Sequence, residues 1–194
     1  MRIIAGKFRS QSLLAPKGRD TRPTSDRLRE TLFNVLAPRI EGAAFADLFA
    51  GTGAVGIEAL SRGARQVYFA ENAGHSLDTL RTNLKKLGIG PEATVEAAGT
   101  LALLRRLVRH GIRLDIVFLD PPYKDEEAYR AILQFLAEQP CLAPQAIVVA
   151  EHARRLPLAA FGDLQPFRTI PQGEASLTFF HCNAEGQTVS PAGA

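Results

Sequence analysis

The sequence predicts an α/β sandwich built on a largely parallel sheet, and three observations carry that reading. Short apolar runs of strand length alternate with longer segments whose apolar residues recur every three to four positions. One junction, Phe45–Ala50 followed by Gly51-Thr52-Gly53-Ala54-Val55-Gly56 and a helical stretch, has the strand–glycine loop–helix form of doubly wound folds. A later run, Leu114–Asp120, ends on an acid, at the edge where an open parallel sheet binds its ligands.

Taken in order, Arg2-Ile3-Ile4-Ala5 and Gln11-Ser12-Leu13-Leu14 are short extended segments around Gly6–Ser10 and predict a small basic ribbon. Pro16–Pro23 reads as loop. Thr24 or Ser25 is placed to cap a helix whose apolar positions Leu28, Leu32, Val35 and Leu36 share a face, and Pro38 is expected to end it. The helix after the glycine loop stops near Ser61-Arg62-Gly63, where Gly63 suits a left-handed cap. Gln66–Ala70 is a second strand. Residues 73–87 form a helix with Leu77, Leu80, Leu84 and Leu87 inward and Gly88 as its stop. Thr94–Ala97 is a weak third strand, Leu101–Val108 a short amphipathic helix and Leu114–Asp120 the fourth strand. Helix 125–138, strand Ala146–Ala150 and a closing pair, Pro166–Ile170 and Ser176–His181, complete a mostly parallel seven-stranded sheet. The chain thus divides into a ribbon and loop (1–20), a body (21–182) and a tail (183–194) that lacks periodicity and is expected to be disordered.

At 194 residues, with 46% hydrophobic and 22% charged residues, the body is one domain with room for a proper core. No apolar run reaches membrane-spanning length, and Met1–Lys7 lacks the apolar core of a signal peptide. Cys141 and Cys182 stand apart, which suits a reducing cytoplasm and argues against zinc. His75, His110, His152 and His181 have no metal-ligand spacing, so no metal is expected. The net charge of +3 hides an asymmetry. Residues 1–39 hold nine Lys and Arg against three acids, a local balance of +6 that leaves −3 for the remainder. A basic arm on a mildly acidic body points to a polyanionic partner such as RNA.

Asp120-Pro121-Pro122-Tyr123 is the most specific short motif. The prolines fix φ and lack amide donors, so their carbonyls are expected to project without pairing to a neighbour. Asp120 and the Pro121 carbonyl can then accept two hydrogen bonds from one planar amino group while Tyr123 offers a stacking face. That is a clamp for an exocyclic amine, the chemistry of amino-directed methyltransferases. The glycine loop and Glu71, twenty residues after Gly51, equally describe a dinucleotide site, with the acid on the ribose hydroxyls. Asp47, inside the first strand where dinucleotide folds carry a hydrophobe, shifts the balance towards S-adenosylmethionine, whose ammonium it can hold. In strand order 3-2-1-4-5 the loop and the clamp face one crevice.

These residues, with Arg2–Gly6, the block Arg22-Pro-Thr-Ser-Asp-Arg27 continuing through Arg29–Asn34, and Glu58–Ala64, resemble the RsmD family of bacterial methyltransferases acting on a guanine of small-subunit ribosomal RNA. The resemblance implies a class I, Rossmann-like methyltransferase sandwich, S-adenosylmethionine as donor and the guanine 2-amino group as acceptor. It also implies the small ribosomal subunit or a late assembly particle as substrate; a monomer in the cytoplasm is expected. By the same likeness, Asp120, Pro121, Pro122 and Tyr123 are catalytic. Asp47, Phe49, Ala50, Gly51, Thr52, Gly53, Glu71, Asn72, Gly99, Thr100 and Asp120 hold the cofactor, while Arg2, Lys7, Arg9, Arg22 and Arg27 contact RNA. The family's acid after the third strand is missing from Ala97-Ala98-Gly99-Thr100, so adenine is expected to bond to backbone. The rivals are an adenine or cytosine amino-methyltransferase and, from different classes, an NAD-binding oxidoreductase or a non-catalytic RNA-binding assembly factor.

Overall fold

A computed structural model of the chain describes residues 1–15, 26–122 and 124–182. Helix α1 (Asp26–Ile40) precedes five parallel strands joined by four helices: β1 (Ala44–Leu48), α2 (Ala54–Ser61), β2 (Gln66–Ala70), α3 (Gly74–Lys86), β3 (Ala93–Glu96), α4 (Thr100–Arg109), β4 (Leu114–Leu119), α5 (Glu126–Glu138) and β5 (Leu142–Ala153). Strands β6 (Leu164–Gln172) and β7 (Ala175–Cys182) close the sheet in the order β3-β2-β1-β4-β5-β7-β6, with β7 antiparallel to both neighbours. The predicted order around the switch point, 3-2-1-4-5, is observed. None of the helices among the described residues is long and apolar enough to cross a membrane.

The central strands are buried along nearly their whole length, as continuous apolar runs require of a parallel sheet covered on both faces. On one face, Phe45, Phe69, Phe118 and Phe179 meet α1, α2 and α3; on the other, Leu48, Val117, Val148 and Phe180 meet α4 and α5. Gly63 takes φ 103°, and the Gly63 and Ala64 amides bond back to Leu60 and Ala59, closing α2 as expected.

Two boundaries differ from expectation. Pro38 does not end α1, which continues to Ile40 because that side chain is buried in the core. Pro38 and Asn34 lie on the exposed side, where water can satisfy the carbonyl that proline leaves without a partner. Strand β5 runs well beyond Ala146–Ala150, since Glu151, His152 and Ala153 continue the ladder to Leu177, Ser176 and Ala175 of β7. The helix cap expected at Thr24 or Ser25, the loop 16–23 and the tail from Asn183 lie outside the described residues.

The amino-terminal ribbon exists, but with a single antiparallel bridge, Arg2 to Ser12, and it is packed into the body. Ile3 and Leu13 are buried with α1 and α2. Buried Glu58 of α2 accepts the amides of Ile4 and Ala5 at 2.8 and 3.0 Å and the Arg62 Nε–H at 2.7 Å. Asn83 of α3 pairs with both the amide and the carbonyl of Leu14.

Candidate active site

Four neighbouring strand tips at the carboxyl edge of the sheet carry an acid: Asp47 in β1, Glu71 after β2, Asp120 after β4 and Glu151 in β5. Asp47 is 1% exposed, and its Oδ2 accepts the Gly56 amide at 2.8 Å. Gly56 is the third residue of α2, and the N-cap position, Gly53, has no side chain. The strand acid therefore caps the helix from outside, satisfying a first-turn donor and facing the positive dipole end. Burial nevertheless pushes its carboxyl up to about 7, with the Glu71 charge adding and the Gly56 amide opposing.

Glu71 ties the loop together. Its Oε2 accepts the Gly51 amide and its Oε1 the Ala73 amide, both at 2.7 Å. Asp120 keeps a partly exposed surface. Its carboxyl still lies well above the ordinary aspartate range, through burial first, then the charges of Glu151 and Asp47. Among the described residues no three metal-ligating side chains gather as an ion site would need. Such a cluster favours a cationic ligand, which would repay the cost of ionising the buried acids. A dinucleotide pyrophosphate suits it poorly, because the Gly51 and Gly56 amides are already taken by carboxylates.

The glycines divide by role. A Cβ on Gly56 would strike the Phe69 ring and come within 2.9 Å of Val67 Cγ1, and one on Gly53 would strike Leu80. These two exist for packing. Gly51 (φ 56°) faces open space, where a ligand can approach. Phe49 takes φ 69°, a left-handed conformation costly for an aromatic residue. That turn places it at a cavity of about 250 Å³ with Glu71, Asn72, Gly99 and Thr100, five of the expected cofactor residues.

Ala50 and Thr52 serve the loop through backbone: the Ala50 amide reaches Ala70 O, and Thr52 O accepts from Asn83. Leu101, Ala128, Ala131 and Ile132 also line the cavity and were not anticipated. The signal was present: small residues at 128 and 131 on α5 open space one turn apart. Glu151 was missed because it closes an apolar run and read as the strand's end.

The clamp needs one correction. The proline carbonyls are not unpaired: Pro122 O accepts the Asp125 amide at 2.8 Å, and Pro121 O lies 3.3 Å from the Tyr129 hydroxyl. Proline removes a donor but leaves the carbonyl as strong an acceptor as any other, so nearby donors find it. Tyr123 and Arg22 lie outside the described residues.

The expected RNA contacts are not brought together. Arg27 is exposed at the start of α1, and Arg2 is exposed with its carbonyl held by Arg29. Lys7 sits at the opposite edge of the sheet, its amide on Ser61 O at the end of α2 and its ammonium 3.7 Å from Glu92, just before β3. Arg9 is exposed in the same turn. A second depression, about 310 Å³, also lies at that edge. Its cations are committed, Arg65 to Asp115 at 3.1 Å and Arg39 to Gln145 O at 3.0 Å.

The family described as conserved hypothetical protein 95 matches residues 1–181. The Bacillus subtilis protein YlbH is 38% identical over 93% of this chain and 98% of its own. Ribosomal RNA small subunit methyltransferase D of Haemophilus influenzae is 39% identical, covering 81% of each chain. Among solved structures, yhhF from Escherichia coli superposes with a TM-score of 0.81 at 30% identity, covering 95% of this chain and 99% of that one.

Proposed function

The chain belongs to that family, the RsmD family, and we propose that it transfers a methyl group from S-adenosylmethionine to the 2-amino group of a guanine in small-subunit ribosomal RNA. The observation that carries this reading is the set of strand-tip acids, two of which, Asp47 and Asp120, are raised by burial first and by neighbouring carboxylates, beside a glycine loop whose amides are occupied by carboxylates. That arrangement suits a cation-bearing nucleoside and disfavours the dinucleotide alternative.

S-adenosylmethionine supplies an electrophilic methyl group on a positively charged sulfur. Asp47 and the Gly51 edge of the loop would hold its methionine end, and Glu71 its ribose hydroxyls. Phe49, Asn72 and the small residues of α5 would enclose the adenine. The N-cap of α4, Gly99, has no side chain to cap the helix, so the first-turn amides would be available to adenine nitrogens in place of the missing acid.

A guanine 2-amino nitrogen is a poor nucleophile because its lone pair is delocalised into the ring. Hydrogen bonds from its two N–H groups to Asp120 and Pro121 O would localise that pair and aim it at the methyl carbon. Positioning of this kind supplies much of the rate in bimolecular transfers. As nitrogen gains the methyl group it must shed a proton, and burial, which raises the proton affinity of the Asp120 carboxylate, suits it as the acceptor. The target base enters unstacked. Exposed Arg2 and Arg27, with Arg22, Lys7 and Arg9, contribute phosphate contacts on this reading, and the substrate is an assembled or late-assembling small subunit in the cytoplasm.

The test is single-turnover transfer to unmethylated small-subunit particles. Asp120→Ala should be slower by about a hundred- to a thousandfold, as for loss of a comparable preorganised contact. Affinity for S-adenosylhomocysteine should change far less. Near-normal turnover would make Asp120 structural and remove the clamp.

A further inference from the structure

Tyr129 is the fourth residue of α5, 1% exposed, and its ring belongs to the core on that face of the sheet. A phenol there must find a partner for its hydroxyl. It lies 2.6 Å from Glu151 O and 3.3 Å from Pro121 O. The reason for this pairing can be read from the ladder. Successive amides of a strand point to opposite neighbours. The Asp120 amide points to Leu48 O of β1, so the amide of residue 121 would face β5. The registered pair Leu119–Ala150 then makes Glu151 O the acceptor next in line. Residue 121 is proline and has no amide, so the ladder between β4 and β5 lacks a donor at the step where the crevice opens.

Resting on the amine-clamp reading, the geometry points to Tyr129 as a positioning residue for the target amine, its hydroxyl standing in for the absent amide of Pro121. A hydroxyl has one proton. Glu151 O, at 2.6 Å, holds it more closely than Pro121 O at 3.3 Å, and a carbonyl oxygen has two lone pairs, so Pro121 O keeps acceptor capacity for the guanine amine while the phenol limits where that carbonyl can sit. The same side chain links the first turn of α5, which Asp125 caps through the Ala128 amide, to the tip of β5. The clamp is thereby fixed from both sides: by β1 through the Asp120 amide and by α5 and β5 through Tyr129.

The experiment compares wild type with Tyr129→Phe, which keeps the ring and removes the hydroxyl, and with Asp120→Ala. Single-turnover rate, KM for small-subunit particles and calorimetric affinity for S-adenosylhomocysteine are measured for each. Tyr129→Phe should lower the rate about 10- to 100-fold, the scale of a small misplacement of a reacting group. Its KM and its cofactor affinity should stay within about threefold of wild type. A second variant tests the missing-donor argument through stability. Pro121→Ala restores an amide facing Glu151 O, so Tyr129→Phe with Pro121→Ala should melt above Tyr129→Phe alone. A Tyr129→Phe rate within threefold of wild type, while Asp120→Ala is disabled, would overturn the inference. So would a rate loss matched by an equal loss of cofactor affinity, or a double variant melting no higher than the single. Normal turnover in Asp120→Ala would instead place the failure in the clamp itself.

Discussion

Asp47→Asn is expected to stabilise the cofactor-free protein, and the size and pH dependence of the gain follow from where the acid sits. Asn keeps an oxygen to accept the Gly56 amide, so the external cap of α2 survives. What disappears is the buried charge. The Asp47 carboxyl rises from 3.8 to about 7 on folding, a span of about three units at about 1.4 kcal/mol each. The sign follows from proton linkage: a carboxyl raised in the folded state binds more protons there, so its contribution is fully present below pH 3.8. It is lost as pH climbs through about 7 and stays lost above. Wild type and Asp47→Asn should therefore coincide in stability near pH 4. They should diverge by about 1.4 kcal/mol per pH unit and reach a plateau near neutrality, with at most about 4 kcal/mol in favour of Asn. For a domain of this size that corresponds to roughly 8–16 °C in Tm. Urea and thermal denaturation between pH 4 and 8 measure it, with calorimetry for S-adenosylhomocysteine alongside. The stabilised variant should bind cofactor more weakly, since the cation loses its counter-charge. A gap that does not grow with pH, or an Asn variant less stable at pH 7.5, would refute the claim that Asp47 carries an uncompensated buried charge.

Glu71→Ala should weaken S-adenosylhomocysteine binding by about 1.5–3 kcal/mol in calorimetry, the worth of hydrogen bonds to a charged group, and Glu71→Gln by less, since one loop amide keeps its acceptor. Gly56→Ala should cost about 1–3 kcal/mol of stability in urea titrations by forcing the Phe69 ring aside, whereas Gly51→Ala, whose Cβ meets no protein atom, should cost about 1–2 kcal/mol through its left-handed φ of 56° and also lower cofactor affinity. Replacing Lys7 and Arg9 together by Gln should reduce the salt dependence of RNA binding while leaving Tm nearly unchanged. An unaltered salt slope would remove that turn from the RNA surface, which its place at the edge of the sheet opposite the acids makes a demanding test.

The parallel half of the fold was legible because each strand of a doubly covered sheet is a short, unbroken apolar run, and each intervening helix carries a clean stripe. Gln66–Ala70 was read without error for that reason. Errors fell where tertiary packing overrules local signals. Ile40 holds α1 together past Pro38, and the β7 ladder carries β5 past a glutamate. The site was legible as residue types but not as contacts. Sequence spacing placed Asp47, Glu71 and Asp120 at one edge. It could not reveal that Asp47 and Glu71 spend hydrogen bonds on Gly56 and Gly51, nor that Phe49 adopts a left-handed conformation. Those depend on which amides the folded loop leaves without partners. The ribbon's basic residues suggested an arm for a polyanionic partner, whereas the hidden facts were Ile3 and Leu13 in the core and Glu58 fully buried beneath them. Removing the ribbon would expose that acid together with its core, so the arm and the body cannot be separated by truncation.

A crevice lined with carboxylates and a polyanionic substrate look incompatible, and the burial pattern resolves the conflict. Asp47, Asp120 and Glu151 lie inside the sheet edge, while Arg2 and Arg27 are exposed at the surface. Asp47, its carboxyl raised to about 7, is largely protonated below neutrality, and burial favours the neutral form of Asp120 in the same direction, so the acids repel an anion less while the crevice holds no cation. A sulfonium and ammonium held as proposed would favour their ionised forms, so the negative charge would develop where the cofactor neutralises it. On the proposed reading RNA would meet the outer cations, whose attraction is screened by salt, and the inner acids would be shielded from its phosphates by the ligand they hold. On this reading, cofactor binding releases protons between about pH 6 and 8, and prior occupancy by the cofactor favours RNA approach. Titrations in buffers of different ionisation enthalpy would count those protons, and a count of zero at pH 6.5 would show that the acids are already ionised before the cation arrives.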